Sequence, residues 1–489
     1  MTDESTRTLE RTIGSRQLSM IAIGGAIGTG LFFASGSAIA QAGPGGALLA
    51  YAIMGLAVYF MMQSLGEMAT QLPIAGSFEA YAERFVDPSL GFAVGWNYWL
   101  SWTITLAAEL VASALIVQFW FPHSNSTLWA MGFFALLLGL NVLSVKVYAE
   151  AEYWFASIKV VSVIIFIVVG ALMILGMLGG QSVGFQNWGL TEAASGRHAP
   201  FVGGLFSVLM VFMVAGFSFQ GTEGVGLAAA ETSDPATNVP KAIKSVFWRI
   251  LLFYIGAIFV VGTLIPFTDP HLLNGDEGHV AFSPFTMVFS RIPVIGYYAS
   301  NIMNAVILTA VLSCGNTCFY VSSRMLQAMA RSGKAPKVFG SLSRRGVPTA
   351  ALLATALFSA SAFFSSLVGD QKIYQLLYNA GSLSGFLVWL GIAVCHLRFR
   401  KAWVAQGRSL SDLKYRSRFF PYGPWLAIGL FVVVLLGANS SVFQKPVFSW
   451  FDFIANYLMI PTFIVLYVGH RWWHKTRLVK LTECSFSVD

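Results

Sequence analysis

The feature that most limits what this chain can fold into is a succession of apolar runs, each about 20 residues long, parted by short polar segments from residue 18 to residue 470. A run of that length crosses a bilayer as an α-helix at about 1.5 Å of rise per residue. Inside the bilayer each backbone polar group must find an internal partner, so such a chain folds as a bundle of helices. The composition agrees: of 489 residues, 56% are hydrophobic and 11% charged, too few charges for a solvated globular surface. Hydropathy places twelve spans, at 18–41, 47–71, 92–120, 127–145, 153–178, 202–230, 246–267, 296–322, 349–369, 373–396, 419–438 and 450–470. The expected organisation is an N-terminal tail over 1–17, ten spans over 18–396, two more over 397–470 and a C-terminal tail over 471–489.

The basic residues set the orientation. With the N-terminus in the cytoplasm, 25 of the 30 lysines and arginines fall in inward segments, including Arg7, Arg84, Lys241, Arg331, Arg344, Arg400, Arg416 and Lys475. Arg197, Arg291, Lys372 and Lys445 lie outward, and Lys159 lies within a span. This bias predicts an even number of spans with both termini cytoplasmic. It also absorbs the net charge of +8, which sits in short loops at the inner leaflet and so argues against nucleic acid as a partner and for membrane lipid. The polar first seventeen residues lack the apolar core of a cleaved signal peptide, so the first span is expected to serve as the targeting signal. Cys314, Cys318, Cys395 and Cys484 lie in or inward of the spans, against a disulfide framework. Cys314 and Cys318, four apart on one apolar helix, read as packing, and His470 and His474 as interfacial; no metal set emerges.

Two spans are interrupted by glycine. IGGAIGTGLF, residues 23–32, holds Gly24, Gly25, Gly28 and Gly30; AGFSFQGTEGVG, residues 215–226, holds Gly216, Gly221, Gly224 and Gly226 among Ser218, Gln220, Thr222 and Glu223. Each interior glycine costs a helix about 1 kcal/mol relative to alanine. Close packing of helices accounts for either cluster alone. Together, in the first and sixth spans and so at matching places in two five-span halves, they predict an inverted repeat with two broken helices around a midplane site. The first cluster matches neither the phosphate-binding loop nor the dinucleotide fingerprint, since no lysine follows Gly30. Unwound backbone at membrane depth must line a cavity. There, amides at a half-helix start bind a carboxylate and free carbonyls accept from an ammonium, which are the two groups common to α-amino acids.

Ionisable residues within spans are costly and mark function by default. Glu109 lies in the third span, Lys159 in the fifth and Glu223 in the sixth, with Glu67 and Glu231 nearer the inner ends. Tyr98, Trp102, Thr105 and Glu109 are spaced 4, 3 and 4 apart, which aligns them on one helical stripe. Tyr98 and Trp102 have a second reading as interfacial belt aromatics; the carboxylate of Glu109 has no such outlet.

The segments MIAIGGAIGTGLF, AGPGGALLAY, SLGEMA, PIAGSF, GWNYW, EAEYWFASIKV, GFSFQGTE and ETSDPATNVPKAI resemble the amino acid–polyamine–organocation transporters along essentially the whole chain. The resemblance implies an all-α polytopic membrane protein with the leucine-transporter-type fold: twelve transmembrane helices, a 5+5 inverted repeat, helices 1 and 6 broken. Within that superfamily the chain is similar to bacterial amino acid permeases, above all to those carrying lysine, through FWRILLFY, TDPHLL and RSGKAPKVFGSLSRRGVP among others. Carried over by position, the likeness implies that the substrate's α-carboxylate meets Thr29 and the Gly30 backbone, and its α-ammonium the carbonyls of Ala26, Phe217 and Gln220, with Phe217 closing over it. It also implies dependence on the side chains of Tyr98, Trp102, Lys159, Phe217, Glu223 and Glu231. Lys159 matches the position at which proton-coupled members replace a bound sodium ion by an ammonium; a lysine held permanently charged by carbonyls is the alternative.

The expected function is therefore import of L-lysine across the cytoplasmic membrane by proton-coupled symport and alternating access, with a proton gradient in place of a cofactor. Either Glu109 or Glu223 would pair with the substrate's side-chain ammonium. Acidic residues at these two positions also occur in relatives that carry neutral or aromatic amino acids, so arginine, histidine, aromatic and neutral substrates stay open. A nutrient sensor that passes amino acid occupancy to a regulatory membrane partner is the alternative from another class. A membrane enzyme is disfavoured, because the inward loops carry no nucleophile, acid–base or metal constellation.

Overall fold

Glycine and proline decide where the helices start, bend and stop in the structure, a computed structural model. It describes residues 27–143, 145–178, 182–193, 195–273, 283–364, 370–437 and 457–487, together with Gly14, Leu18, Trp450 and Phe453. Ala26, Gly24 and Gly25 lie outside the described residues. Among those described there is no β-strand; an isolated bridge pairs Thr191 with His198. Among the described residues, eight helices are long and apolar enough to cross a membrane, and two shorter apolar helices cover Thr349–Phe363 and Tyr422–Gly437.

The first described helix, α1 (Thr29–Phe32), follows a non-helical Gly28 and leads through Phe33 and Ala34 into α2 (Ser35–Gln71). Helix α2 is two helices joined at a corner. Gly43 there takes φ +75°, a left-handed conformation, and Pro44 begins the second arm without the amide it could not offer. The carbonyl of Pro200 accepts from the amides of Gly45 and Gly46, and a Cβ on Gly43 would sit 2.6 Å from that carbonyl oxygen. Glycine is therefore required at 43 both by φ and by the loop packed on it.

A short helix, α3 (Phe78–Phe85), precedes α4 (Pro88–Val117), whose start is capped by the Asp87 carboxylate accepting from the Ser89 amide at 2.7 Å. Helix α4 is apolar all round and buried along most of its length, as a central helix must be. It packs between α10 (Gly296–Arg331) and α11 (Asp370–Ala405). Polar residues fix the register: Asn97 donates to the Ser384 carbonyl at 2.9 Å and accepts from the Ser384 hydroxyl at 2.7 Å, while Asn304 donates to the Ile116 carbonyl at 3.2 Å.

Helices α5 (Ser126–Leu143) and α6 (Val145–Ile174) lie at the periphery. Leu128, Met131, Leu136, Trp154, Val161, Ile164 and Val168 are exposed on them, an apolar surface suited to lipid. Helices α7 (Gly204–Phe219) and α8 (Gly224–Ala228) follow, then α9 (Pro235–Leu264), in which residues Ile250–Gly256 are π-helical. Several helices outrun the hydropathy spans. Helix α9 begins at 235 rather than 246, and α10 runs to 331 rather than 322, because their polar ends stay helical beyond the apolar stretch that hydropathy detects. The C-terminal helix, α12, covers Met459–His474.

Candidate functional site

The two glycine-rich stretches lie against each other, the second breaking its helix and the first leading into one. Helix α7 ends at Phe219; Gln220 is extended and Gly221 has φ +95° before α8 starts at Gly224. On the other side, Gly28 carries φ −136° and ψ −148°, and a helix begins at Thr29. The crossing is close: a Cβ on Gly30 would lie 2.6 Å from Ser218 Cα. Ser218 is held in turn by the Tyr51 hydroxyl, 3.0 Å from its Oγ.

Between the two stretches is a cavity of about 10 Å3 lined by Gly28, Gly30, Trp102, Thr105, Glu109, Phe217, Gln220 and Cys314. That volume holds about one water molecule, so the site is closed in this structure. Glu109 is 2% exposed. Its Oε1 accepts from the Thr29 hydroxyl at 2.9 Å, and its Oε2 has no hydrogen-bond partner. A buried carboxylate oxygen left unsatisfied is costly. It marks the place where a ligand donor would gain most.

Of the stripe read on the third span, Trp102, Thr105 and Glu109 line the cavity, while Tyr98 does not. The Tyr98 hydroxyl instead donates to Glu223 Oε1 at 3.3 Å. Glu223 also accepts at Oε2 from Trp389 Nε1 at 3.1 Å and from the Gly221 amide at 3.1 Å, so this carboxylate pins the unwound segment of the sixth span. Gln220 ties the same segment to α11, donating to the carbonyls of Gly381 and Ser382 at 3.2 and 3.1 Å. The Phe217 ring lies beside Tyr378, centroids 4.4 Å apart.

Lys159 and Glu231 lie away from the cavity lining. Lys159 is wholly buried on α6, in electrostatic reach of Glu152 and Glu109. Glu231 forms a buried ion pair with Arg324 at 2.9 Å, and the Arg324 guanidinium sits 4.5 Å from the Tyr320 ring centroid. Two residues acquire weight that sequence reasoning did not give them. Cys314, read as packing, borders the cavity, and a Cβ on Gly28 would come 2.9 Å from its Sγ. Glu152, in EAEYWFASIKV, is wholly buried; its spacing of seven from Lys159, which puts both on one helix face, was the available signal.

The sequence between residues 17 and 483 matches the family model described as amino acid permease. The chain is 48% identical to the lysine-specific permease LysP of Escherichia coli (strain K12), over 98% of this chain and 96% of that protein. It is 46% identical to the lysine-specific permease LysP of Lactococcus lactis subsp. cremoris, over 98% and 93%. With the histidine permease HisP of the same organism it shares 45% identity over 99% of both chains.

Proposed function

Since the chain belongs to the amino acid permease family, we propose that it imports L-lysine across the cytoplasmic membrane, together with a proton, by alternating access. The observation that carries this reading is Glu109: a buried carboxylate on the wall of a cavity between the two glycine-rich stretches, one oxygen bound to Thr29 and the other without a partner. Thr29, Gly30, Phe217 and Gln220 would meet the amino acid's common end, and Glu109 the side-chain ammonium. Glu223 is the weaker candidate for that ammonium, because its oxygens already accept from Tyr98, Trp389 and the Gly221 amide. The two lysine-specific relatives support the substrate.

The closed cavity requires a lysine-bound form in which the helix halves separate. In our reading twelve spans, with both termini cytoplasmic, form two inverted repeats, and a bundle containing helices 1 and 6 rocks against the rest. Lys159 supplies the proton-linked cation beside the first helix.

Purified protein in proteoliposomes tests substrate and coupling separately. Labelled lysine is expected to accumulate under an inward proton gradient, with unlabelled lysine the strongest competitor among the twenty amino acids. The histidine permease at 45% identity makes histidine the second reading; accumulation of histidine with no uptake of lysine would establish it. Lys159→Ala is expected to abolish proton-driven accumulation, and unchanged concentrative uptake would remove Lys159 from the coupling step.

A further inference from the structure

We infer that Glu152 is the inner proton acceptor of the transport cycle, taking the proton from Lys159 and releasing it toward the cytoplasm. This rests on the proton coupling and orientation proposed above. Glu152 and Lys159 are seven residues apart on α6, so they share a face and are separated by about 10 Å along the axis. Each is the charge that acts most strongly on the other. Both are wholly buried. Oε1 of Glu152 accepts from the Ser313 hydroxyl at 2.8 Å, and Oε2 has no hydrogen-bond partner.

Polar groups continue past Glu152 along α10. Asn316 accepts from Asn141 at 2.8 Å while its own Nδ2 has no partner. Tyr148 stacks on Tyr320, centroids 4.2 Å apart, and the Tyr320 hydroxyl likewise has no partner. The column ends at the Arg324–Glu231 ion pair. Of these three buried atoms, Glu152 Oε2 can take up a proton and the Tyr320 hydroxyl can accept one and pass one on, whereas Asn316 Nδ2 only donates and so can orient an acceptor between them. Among the described residues, Glu109, Cys314 and Cys318 are also within electrostatic reach of Lys159; of the two carboxylates named with it, Glu109 lines the proposed substrate cavity and Glu152 does not. In the step itself, one N–H bond of the Lys159 ammonium breaks and one O–H bond forms on the Glu152 carboxylate, leaving a neutral amine and a neutral acid. The acid then gives that proton to cytoplasmic water and regains its charge.

The test uses the full chain in proteoliposomes containing a trapped pH dye. Wild-type protein must acidify the lumen when lysine enters; lysine entry without acidification would overturn the coupling reading itself, and this inference with it. Glu152→Gln is expected to keep lysine–lysine exchange while lysine-driven acidification falls roughly a hundredfold, as for loss of a positioned proton-transfer group, and Glu152→Asp is expected to restore part of it. Acidification at the wild-type rate in Glu152→Gln would overturn the assignment. So would loss of exchange and acidification together in both variants, which would make Glu152 a structural residue.

Discussion

Gly30 and Gly224 both sit in the first turn of a helix, yet their surroundings make opposite demands. A Cβ on Gly30 would press on the Ser218 backbone, 2.6 Å from its Cα, and lie 2.9 Å from its Oγ; a Cβ on Gly224 meets only Val321, at 4.0 Å. Backbone cannot turn aside as a flexible side chain can, so Gly30→Ala must part α1 from α7, an overpacking cost of about 1–3 kcal/mol. Gly224→Ala, at the start of α8, adds a better helix former in open space. We expect Gly30→Ala to lose lysine uptake and melt at a lower temperature, and Gly224→Ala to keep both. Uptake and thermal unfolding in detergent check the pair, and equal damage from the two would disprove the crossing geometry. At this scale the sequence told which residues were costly but not what they touch. Glu109 was legible as functional because a carboxylate in a span has no cheap outlet. That Tyr98 reaches Glu223 rather than the cavity was not, since spacing gives the direction of a side chain about its own helix and nothing of the neighbour. Glu152 was passed over because its segment begins at the inner end of a span, where acids are ordinary.

The element that the site depends on most is the unwound segment between α7 and α8. Gly221 holds φ +95° there, a conformation that costs a residue with a Cβ about 1–2 kcal/mol. Its amide is one of the donors fixing Glu223. Gly221→Ala therefore strains the turn and misaims the carboxylate that Tyr98 and Trp389 hold. We expect uptake to fall, and Glu223→Gln to fall with it, because an amide places N–H groups against those donors and leaves some unpaired. In the double variant the losses should be less than additive, since both act on one network; a double-mutant cycle on uptake and melting temperature measures this, and full additivity would dismiss the network. The break between α7 and α8 was legible as four glycines among polar residues; of the first cluster, Ala26, Gly24 and Gly25 lie outside the described residues, and what is described is a non-helical Gly28 followed by a helix from Thr29. Helix length was less legible. Hydropathy saw the apolar part of α9 and missed the amphipathic turns from Pro235 to Arg249, where tertiary packing rather than lipid keeps the chain helical.

Across the whole molecule, the C-terminal tail ties together elements far apart in sequence. The Val479 amide donates to the Val86 carbonyl at 2.9 Å, Arg398 donates to the carbonyls of Phe85 and Val479, and Gln406 donates to those of Leu481 and Cys484 at 3.1 and 2.8 Å. Phe486 closes the contact among Phe85, Phe399 and Trp403, with the Arg408 guanidinium 4.6 Å from its ring centroid. Cys484 is held within this contact at 4% exposure, and burial pushes its thiol up from the ordinary range. The other three cysteines lie in α10 and α11. A thiol pushed up carries less thiolate at neutral pH and reacts more slowly; releasing the tail returns it toward its ordinary value and exposes it. Phe486→Ala removes about 1–3 kcal/mol of apolar burial from the contact, so a membrane-impermeant maleimide should then label Cys484 several times faster than in the wild-type chain, with Cys484→Ser identifying the labelled site. In the wild type the labelling rate should climb further into alkaline pH before levelling than in the variant. The side from which the reagent works carries a second result. If both termini are cytoplasmic, labelling of the Phe486→Ala chain occurs in inside-out vesicles and not in right-side-out ones. Labelling from the opposite face would overturn the orientation deduced from the basic residues, whereas equal rates for wild type and variant would overturn the docked tail and leave that orientation standing.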